Sequence, residues 1–328
     1  MHILIIGAAG MVGRKLTDAL VKAGELGGKG IERLTLADVV MPAKPAFGGA
    51  VEAIATDLSA PGAAAALTAK RPDLIFHLAA IVSGEAEADF EKGYRINLDG
   101  TRELLEAVRK EGAKSPYKPR LVFTSSIAVF GAPFPEAIGD EYFSTPLTSY
   151  GTQKAIGELL LNDYSRKGFL DGVGIRLPTI VVRPGKPNAA ASGFFSNILR
   201  EPLVGQEAVL PVSRDVRHWF ASPRAAVGFL LHAATMDTTA LGWRRTITAP
   251  DLTATVGEEI DALRRAAGDK AVALIREEPN ETIVRIVAGW PRNFDAKRAL
   301  SLGFRAESSM DEIIRAHVED ELGGRIGG

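Results

Sequence analysis

The run Ile3-Leu4-Ile5-Ile6-Gly7-Ala8-Ala9-Gly10-Met11-Val12-Gly13 decides the fold of this 328-residue chain. Its four apolar residues are typical of a strand buried in a parallel sheet, and three glycines and a helical pattern follow at once. Such a turn brings backbone N–H groups and the positive end of a helix dipole together, and this arrangement binds phosphate. The run therefore predicts a dinucleotide site, whose predicted contacts are Gly7, Gly10, Met11, Val12 and Gly13.

Each glycine of this run has its own predicted role. Gly7 permits the tight turn, Gly10 lets backbone approach a pyrophosphate, and Gly13 allows the helix to pack closely on the strand. The spacing Gly-x-x-Gly-x-x-Gly differs from the commoner Gly-x-Gly-x-x-Gly, but glycine is needed for the same reasons. The alternative, that these glycines only turn a corner, accounts less well for a motif placed between a strand and a helix.

Strand-like and helical patterns alternate along the first half of the chain. This alternation predicts an α/β fold, with a doubly wound parallel sheet of the Rossmann type. Further strands are expected at Arg33–Ala37, Val51–Thr56, Leu74–Leu78, Leu121–Thr124 and Val173–Ile180. Helices are expected at Met11–Ala23, Ala60–Ala69, Ala86–Glu111 and Ser149–Arg166.

The alternation of strand-like and helical patterns ends near Pro184, where Gly/Pro-rich loops begin. We therefore expect residues 1–182 to form a Rossmann domain, to which a segment near 213–236 returns. Residues 183–328 are expected to form a smaller, mixed α/β substrate-binding lobe at the C-terminal end. Within that lobe, Glu281–Ile286 is expected to be an isolated strand.

Composition excludes several classes of function. A net charge of −1 offers no basic surface for nucleic acid or an anionic membrane, and no apolar run is long enough to span a bilayer. The absence of cysteine excludes thiol chemistry, and the five scattered histidines lack ligand spacing, so no metal site is expected. Because the N-terminus runs directly into a strand, the expected location is the cytoplasm.

Two acidic residues follow predicted strands and bear on the choice of cofactor. Asp38 ends the second strand, where a carboxylate accepts hydrogen bonds from ribose hydroxyls and repels a 2′-phosphate, so NAD is expected rather than NADP. Asp57 follows the third strand and is expected near the adenine. The alternative for Asp57 is an N-cap of a helix at Ala60.

The strand at Leu121–Thr124 is followed by Ser125 and Ser126, at the carboxyl end of the sheet where ligands bind in such folds. Tyr150 and Lys154 are four residues apart, so on a helix they share a face. A phenol with a pKa of about 10 is a poor base, but a neighbouring ammonium favours its phenolate. The alternatives are turn-forming serines, a packed tyrosine and a solvated lysine.

Six motifs together resemble the extended short-chain dehydrogenase/reductase family. They are Gly7-x-x-Gly10-x-x-Gly13, Asp57-Leu58, His77-Leu78-Ala79-Ala80, Asn97-x-x-Gly100-Thr101, the run Ser125–Gly131 and Tyr150-x-x-x-Lys154. The resemblance implies that Ser126 is the catalytic serine (Ser125 is the fallback), that Tyr150 is the acid/base and that Lys154 is its partner. It also implies a homodimer, and it adds Leu58, Ala79, Ala80, Asn97, Tyr150, Lys154 and Pro178 as residues beside the cofactor.

The family also includes nucleotide-sugar epimerases and dehydratases, but the chain departs from their pattern. Thr179 stands where those enzymes commonly carry an asparagine that contacts the nucleotide diphosphate, and the later run from Arg214 to Pro223 is altered. Other segments, such as Ser125–Gly131 and Trp290-Pro291-Arg292, resemble the branch that contains L-threonine 3-dehydrogenase. The resemblance therefore implies NAD-linked oxidation of a small hydroxy acid at C2.

A hydroxy acid needs its carboxylate held, which favours arginine. Arg183 and Arg217 are the candidates, with Lys186 behind them, and surface or interdomain salt bridges are the alternative. The other residues expected to contact the substrate are Ser83, Ser125, Ser126, Tyr150, Thr179 and Trp290, with His218 as a further possibility. Two rival functions stay open, a nucleotide-sugar epimerase or dehydratase with tightly bound NAD and an NAD-sensing module without catalysis.

Overall fold

The computed structural model describes residues 1–185 and 191–327. The strands are β1 His2–Ile6, β2 Glu25–Leu26, β3 Lys29–Gly30, β4 Arg33–Asp38, β5 Ala50–Ala55, β6 Leu74–His77, β7 Arg120–Ser126, β8 Ile138–Gly139, β9 Asp171–Leu177, β10 Thr179–Ile180, β11 Ala208–Leu210, β12 Arg217–Ala221, β13 Thr246–Thr248, β14 Leu252–Thr255, β15 Ile275–Glu277 and β16 Phe294–Asp295. The α-helices are α1 Met11–Ala23, α2 Ala63–Thr68, α3 Ser83–Ala88, α4 Phe90–Gly93, α5 Gly100–Lys114, α6 Ser149–Arg166, α7 Gly193–Leu203, α8 Pro223–Thr235, α9 Val256–Val272, α10 Glu281–Ala288, α11 Lys297–Ser301 and α12 Met310–Glu321. A π-helix spans Tyr94–Asp99, and short 3-10 helices span Ile127–Val129 and Thr238–Leu241.

A seven-stranded parallel sheet in the order β13-β9-β7-β6-β1-β4-β5 forms the centre of the fold. The chain starts in the middle of this sheet and winds outward first to one side and then to the other, as a doubly wound fold requires. Residues 3–6 of β1 are at most 2% exposed, because the strand has neighbours on both edges. The predicted fold class is confirmed, and the carboxyl ends of β1, β6 and β7 adjoin one another.

The long helix predicted at Ala86–Glu111 is wrong, because three helical segments and a π-helix replace it. The first break lies at Asp89, whose backbone leaves the helical region and whose side chain accepts a hydrogen bond from Lys92 N. The π-helix at Tyr94–Asp99 then joins α4 to α5. Such π-helical turns are rare and are frequent at functional sites.

Two predicted strands also differ from the structure. The strand predicted at Val173–Ile180 is interrupted at Pro178, which has no N–H to donate, and its last two residues join β12 in a separate sheet. Glu281–Ile286 belongs to helix α10. Its β-branched residues favour a strand, but Asn280 caps the helix by accepting from Thr282 N and Ile283 N, and the next turn of the same face buries Val287.

The chain divides into two compact units. The first comprises Met1–Val129, Pro146–Leu177 and Val227–Thr248, and it holds the central sheet. The second comprises the described parts of Phe130–Thr145, Pro178–Ala226 and Ala249–Gly328. This division differs from the expected one. Phe130–Thr145 joins the second unit because β8 pairs with β16. The first unit resumes at Pro146 and ends at Leu177, and the returning segment begins only at Val227 and runs to Thr248 because β13 is the seventh strand of the sheet.

The second unit has a three-stranded sheet, β10-β12-β14, and a core of its own around α7 and α9. Phe195, Phe220 and Ile260 are fully buried in that core. In neither unit does a described helix combine the length and the apolar character needed to cross a membrane. Within residues 1–185 and 191–327, no three acidic or histidine side chains are grouped so that they could hold a metal ion.

Candidate active site

Contacts within the protein itself require glycine at two of the three glycine positions of the turn after β1. Gly7 has φ +93°, and a Cβ there would lie 2.7 Å from Ala79 N. A Cβ at Gly13 would lie 2.1 Å from the carbonyl oxygen of Gly7, so α1 could not pack on this turn with any larger residue. These contacts agree with the turn and packing roles expected of Gly7 and Gly13.

Gly10 is different, because the protein itself leaves room for a side chain there. Its φ of −67° suits any residue, and a Cβ would meet the Gly7 oxygen at 3.4 Å, an ordinary contact. Gly10 is exposed and directly precedes α1, whose first turn receives no side-chain cap from the described residues. An open surface beside uncapped N–H groups at the start of Met11-Val12-Gly13 fits the phosphates of a dinucleotide.

Asp38 holds its carboxylate against the glycine turn. Its Oδ2 accepts a hydrogen bond from Ala9 N at 2.9 Å, and its Oδ1 lies 3.4 Å from Val40 N. The position at the end of β4, next to β1, is the one expected for a group that binds ribose hydroxyls. A carboxylate fixed there is compatible with NAD and would repel an added phosphate.

Asp57 is held in a local network rather than at a helix start. Its Oδ1 accepts from Ser59 N and Ser59 Oγ, and its Oδ2 accepts from Arg95 at 2.9 Å. Partial burial works to raise the pKa of Asp57, but these hydrogen bonds outweigh burial and hold that pKa below its ordinary value. Because α2 begins only at Ala63, the alternative of an N-cap at Ala60 is wrong. The neighbouring Leu58 is buried in the core beneath.

Asn97 links the segment after β6 to the helix that carries Tyr150. Its Oδ1 accepts from Ile81 N at 2.9 Å, and its Nδ2 donates to Ile81 O and, at 2.8 Å, to Gln153 Oε1. Asn97 and Gln153 are 1% and 0% exposed. Ala79 and Ala80 come just before the clamped residue, and Ala79 N donates to Ile6 O. The predicted border of the cofactor is thereby fixed to both β1 and α6.

The two serines at the end of β7 have different surroundings. Ser125 is 3% exposed and donates from Oγ to Glu158 Oε1 at 2.5 Å. Ser126 is only partly buried, and its Oγ accepts from Ala128 N at 3.2 Å. Successive residues of a strand point to opposite faces, so the two hydroxyls cannot serve the same site. The geometry favours Ser126 over Ser125 as the hydroxyl open to a ligand.

Helix α6 is attached closely to the end of β7. Lys154 is 2% exposed, and its Nζ donates to the carbonyl oxygen of Thr124 at 2.7 Å. The same Nζ lies 5.7 Å from the ring centroid of Tyr150. A Cβ on Gly151 would lie 2.1 Å from the Ala128 oxygen, so the first turn of α6 touches the backbone just after Ser126. Ser126, Tyr150 and Lys154 therefore come from two elements in direct contact.

Burial changes the protonation of two basic groups near this contact. It lowers the pKa of Lys154 to about 7, and the charge of Glu158 opposes this shift. Burial, with a smaller effect of the Lys154 charge, lowers the pKa of His77 to about 3. His77 Nε2 lies 2.8 Å from Thr101 Oγ1, so His77 is a neutral structural residue.

The other predicted contact of the first unit is Ser83. It is exposed, and it is the first residue of α3. Pro178, at the beginning of the second unit, separates β9 from β10 and is buried. Lys186 lies outside the described residues.

Within the second unit, Thr179 and Trp290 both lie beside His218. Thr179 Oγ1 is 2.7 Å from His218 Nε2, and His218 Nδ1 is 3.1 Å from the oxygen of Pro291. Burial lowers the pKa of His218 to about 4, so the ring is neutral; it donates from Nδ1 and accepts from Thr179. Its ring stacks on Phe195 and lies 5.4 Å from the ring of Trp290. Both ring nitrogens of His218 are thus within hydrogen-bond distance of a partner, and the ring packs against two aromatic side chains.

The two candidate arginines of the second unit differ in how their side chains are held. Arg183 donates from Nε to Ile180 O at 2.9 Å and from its guanidinium to Ser192 Oγ at 2.8 Å, which fixes the side chain. Arg217 is exposed and lies 4.0 Å from Glu258. A fixed guanidinium loses less entropy when it binds a carboxylate, so Arg183 is the better prepared of the two.

Sequence reasoning missed two side chains that hold predicted site residues in place. Gln153 bonds Asn97, and Glu158 bonds Ser125. Glu158 could have been found, because it lies four residues after Lys154 and so continues the face that carries Tyr150 and Lys154. Gln153 gives no such signal, since its partner is brought near by the π-helix.

Comparison with known proteins places the chain in a family. The model of the NAD dependent epimerase/dehydratase family matches residues 3–239. The D-erythronate dehydrogenases of Cupriavidus necator and Haemophilus influenzae are 47% and 42% identical to the chain. Each match covers 98% of this chain, and 98% and 100% of the relative. A crystal structure described as the nucleoside-diphosphate-sugar epimerase from Agrobacterium tumefaciens is 70% identical, with a TM-score of 0.98 over 99% of this chain and 95% of that one.

These matches cover far more than half of the chain, and they agree with the glycine turn, the acidic residue after β4 and the parallel sheet. The chain belongs to the NAD-dependent epimerase/dehydratase family, the extended short-chain dehydrogenases/reductases, and is an NAD-dependent dehydrogenase.

Proposed function

We propose that this dehydrogenase oxidises D-erythronate at C2 to 2-oxo-erythronate, with Ser126, Tyr150 and Lys154 as its catalytic residues. The observation that carries the proposal is the match of two relatives named D-erythronate dehydrogenase over 98% of the chain. The geometry of the first unit supports it, because β7 and α6 hold a serine, a tyrosine and a buried lysine in adjoining positions.

The first unit would bind the cofactor and the second would carry the residues that select the acid. The glycine turn at Gly7–Gly13, Asp38 and the segment clamped by Asn97 are the residues that would hold NAD. When bound, NAD supplies the acceptor for the hydride that leaves the alcohol carbon. Asp57, Leu58 and Pro178 stay candidates at its edges.

The residues of the chain supply the proton chemistry. Ser126 would hydrogen-bond the C2 hydroxyl of the acid, and Tyr150, as phenolate, would take its proton. Lys154 would stabilise the phenolate through its positive charge. The carbon then becomes a ketone, since one proton has gone to Tyr150 and one hydride to the cofactor. Ser125 cannot replace Ser126 without giving up its hydrogen bond to Glu158.

Arg183 and Arg217 are the proposed holders of the substrate carboxylate, and Thr179, Trp290 and Ser83 are further candidates for contact. The hydrogen bonds that fix Arg183 favour it for this role. Changing Arg183 to Lys keeps the charge but removes the planar fork. We expect the KM for the acid to rise by about tenfold or more and kcat to change less. An equal effect from Arg217→Lys would move the assignment to Arg217.

A nucleotide-sugar epimerase or dehydratase is the second candidate. The observation in its favour is the 70% identity to the Agrobacterium tumefaciens structure described by that name. Against it stands Thr179, in the place where such enzymes commonly carry an asparagine. Threonine has no side-chain amide to bind a diphosphate, and the hydroxyl of Thr179 is hydrogen-bonded to His218.

A substrate panel separates the two candidates. Purified protein is incubated with NAD or NADP and with D-erythronate, its four- and five-carbon relatives, L-threonine and UDP-glucose, and reduced nucleotide is followed by absorbance. We expect D-erythronate with NAD to give the highest kcat/KM. Conversion of UDP-glucose by protein that retains NAD, without release of NADH, would instead support the epimerase and refute the dehydrogenation of D-erythronate.

We also propose a homodimer joined through α5 and α6. Leu159 on α6 is 68% exposed, so this helix presents a large apolar side chain that a second copy of the chain could cover. Light scattering after gel filtration gives the mass directly. We expect a dimer that Leu159→Glu dissociates; a monomeric wild-type protein would contradict the proposal.

A further inference from the structure

Glu158 continues the face of α6 that carries the proposed acid/base pair. Tyr150, Lys154 and Glu158 follow one another at intervals of four residues, so their side chains lie in one row along the helix. Glu158 is 4% exposed. A carboxylate so deeply buried must be paired, because an isolated buried charge is very costly.

The partners of Glu158 come from two neighbouring strands. Its Oε1 accepts from Ser125 Oγ at 2.5 Å and from Arg176 Nε at 2.9 Å, and its Oε2 accepts from the Arg176 guanidinium at 2.7 Å. Ser125 is on β7 and Arg176 is on β9. This one carboxylate therefore joins α6 to two strands of the central sheet at their carboxyl ends.

The position of Ser126 depends on these bonds. Lys154 binds the carbonyl oxygen of Thr124, and Glu158 binds the hydroxyl of Ser125. Two consecutive residues of β7 are thus tied to two consecutive turns of α6. Ser126 is the next residue of the strand, so its distance from Tyr150 is set by both attachments.

We propose that Glu158 is a positioning residue of the dehydrogenase: paired with Arg176, it fixes the end of β7 against α6 and favours the ammonium form of Lys154. The inference rests on the proposed acid/base function of Tyr150 and Lys154. Its chemical basis is that the phenolate of Tyr150 needs a cation beside it, whereas burial favours the neutral amine at Lys154.

Among the charged groups around Lys154, Glu158 is the one whose charge opposes the effect of burial on the pKa of Lys154. Burial lowers the pKa of Lys154 to about 7, and Glu158 is the neighbouring charge that raises it. His77 of β6 faces Lys154 but is neutral, because burial lowers its pKa to about 3. Arg176 of β9 is a cation, and its bidentate pairing with Glu158 limits its repulsion of Lys154.

Two other carboxylates form hydrogen bonds with α6, one near each end of the helix. Glu87 of α3 accepts from Ser149 N at the beginning of the helix. Glu106 of α5 accepts from Tyr164, about four turns along the helix from Tyr150, and pairs with Arg109. Glu106 therefore offers a matched control, since it is a carboxylate that bonds α6 without acting on Lys154.

A buried ion pair can be purely structural, so the test must measure the charge of Lys154 itself. We suggest protein labelled with carbon-13 lysine, in which the Lys154 signal is assigned by its loss in Lys154→Met and followed by NMR as the pH is changed. This titration needs neither cofactor nor turnover. The variants are Glu158→Gln, Arg176→Gln and the control Glu106→Gln.

Removing either member of the ion pair should shift the pKa of Lys154, and the two shifts should have opposite signs. Glu158→Gln removes the anion and leaves Arg176 uncompensated, so Lys154 should lose its proton at a lower pH than in the wild-type protein. Arg176→Gln removes the cation, so Lys154 should lose its proton at a higher pH. Glu106→Gln should leave the titration unchanged. If Glu158→Gln does not fold, the direction of the shift in Arg176→Gln still decides.

Shifts of the same sign in both variants, or no shift in either, would overturn the inference. Activity gives a separate readout, because the alkaline limb of kcat should move with the Lys154 titration, by about tenfold in activity for each unit of pKa. Should no hydroxy acid be turned over by the wild-type protein, the proposed function fails, while the NMR titration still tells whether Glu158 controls the charge of Lys154.

Discussion

Lys154 donates a hydrogen bond from Nζ to the carbonyl oxygen of Thr124 across 2.7 Å, in a place where the lysine is 2% exposed. A flexible lysine is thereby held by one strand and carried by one helix. The bond leaves the ammonium charge 5.7 Å from the ring of Tyr150. A solvated lysine on a surface helix would have neither the burial nor the fixed position, so the alternative of a solvated lysine is wrong.

The first prediction concerns the hydroxyl of Tyr150. Tyr150→Phe removes the group that takes the proton and leaves the ring in place, so kcat should fall by about 100-fold to 10,000-fold. The thermal midpoint of unfolding should change little. Steady-state kinetics with NAD and D-erythronate measure the first effect, and calorimetry the second.

Tyr164→Phe is the matched control, since Tyr164 lies near the other end of the same helix and its hydroxyl bonds Glu106. It should keep kcat within about twofold of the wild-type value, in line with a group outside the chemistry. Equal losses in both variants would mean that the kinetic effect of Tyr150→Phe is structural.

The second prediction separates two glycines of the turn. Gly13→Ala places a Cβ 2.1 Å from the Gly7 oxygen, so we expect a loss of about 1–3 kcal/mol in the free energy of unfolding. Gly10→Ala finds room at 3.4 Å and should cost less than about 1 kcal/mol. If Gly10 is needed by the cofactor, the same variant should bind NAD at least about tenfold more weakly.

Urea unfolding and calorimetric titration with NAD measure these two quantities independently. A Gly10→Ala protein that binds NAD as tightly as the wild type would show that the cofactor does not approach the backbone at Gly10.

The third prediction concerns the choice between NAD and NADP. Asp38→Asn keeps an oxygen to accept from Ala9 N but removes the negative charge that would repel a 2′-phosphate. The ratio of kcat/KM for NAD to that for NADP should fall by about tenfold or more, about 1.4 kcal/mol. Asp57→Asn, which changes a carboxylate after the next strand, is the comparison, and we expect it to change the ratio less.

The fourth prediction concerns Glu259 in the core of the second unit. It is 0% exposed, neither carboxyl oxygen has a hydrogen-bond partner in the described part of the chain, and burial raises its pKa well above 4.5. The folded protein therefore keeps a proton that the unfolded chain releases. Stability from this group is complete below about pH 4.5 and is lost as the pH rises toward the folded-state pKa.

Glu259→Gln is neutral at every pH, so its advantage over the wild-type protein should grow from about pH 5 to about pH 8 in urea unfolding. Asp261→Asn on the same helix breaks a surface pair with Arg264 and should shift stability by less than about 1 kcal/mol at either pH. A stability difference for Glu259→Gln that is the same at both pH values would contradict the raised pKa.

The central sheet could be predicted from sequence because each strand carries its own signal. The apolar run before Gly7 and the β-branched runs after it are local patterns, and their alternation with helices determines a parallel sheet. The glycine turn, Asp38 and the Tyr150–Lys154 spacing are likewise local. For these residues, neighbours in sequence are also neighbours in the site.

The predictions that were wrong concern parts of the fold that depend on contacts between residues far apart in sequence. The break at Asp89 and the π-helix at Tyr94–Asp99 follow from packing that brings Asn97 to Ile81 and Gln153. Helix α10 overrides the strand preference of Glu281–Ile286 through the cap at Asn280. The division between units differs from the expected one because β13 completes the central sheet beside β9, although the two strands are far apart in sequence.

The most direct test of the central claim uses D-erythronate that carries deuterium at C2. If Tyr150 deprotonates the C2 hydroxyl while the hydrogen on the same carbon leaves as hydride, deuterium should slow turnover, disappear from the four-carbon product and be recovered in the reduced nucleotide. We predict all three results for the wild-type protein and almost no transfer for Tyr150→Phe. Deuterium that stays on the product, or transfer at the wild-type rate in Tyr150→Phe, would contradict oxidation at C2 by this site.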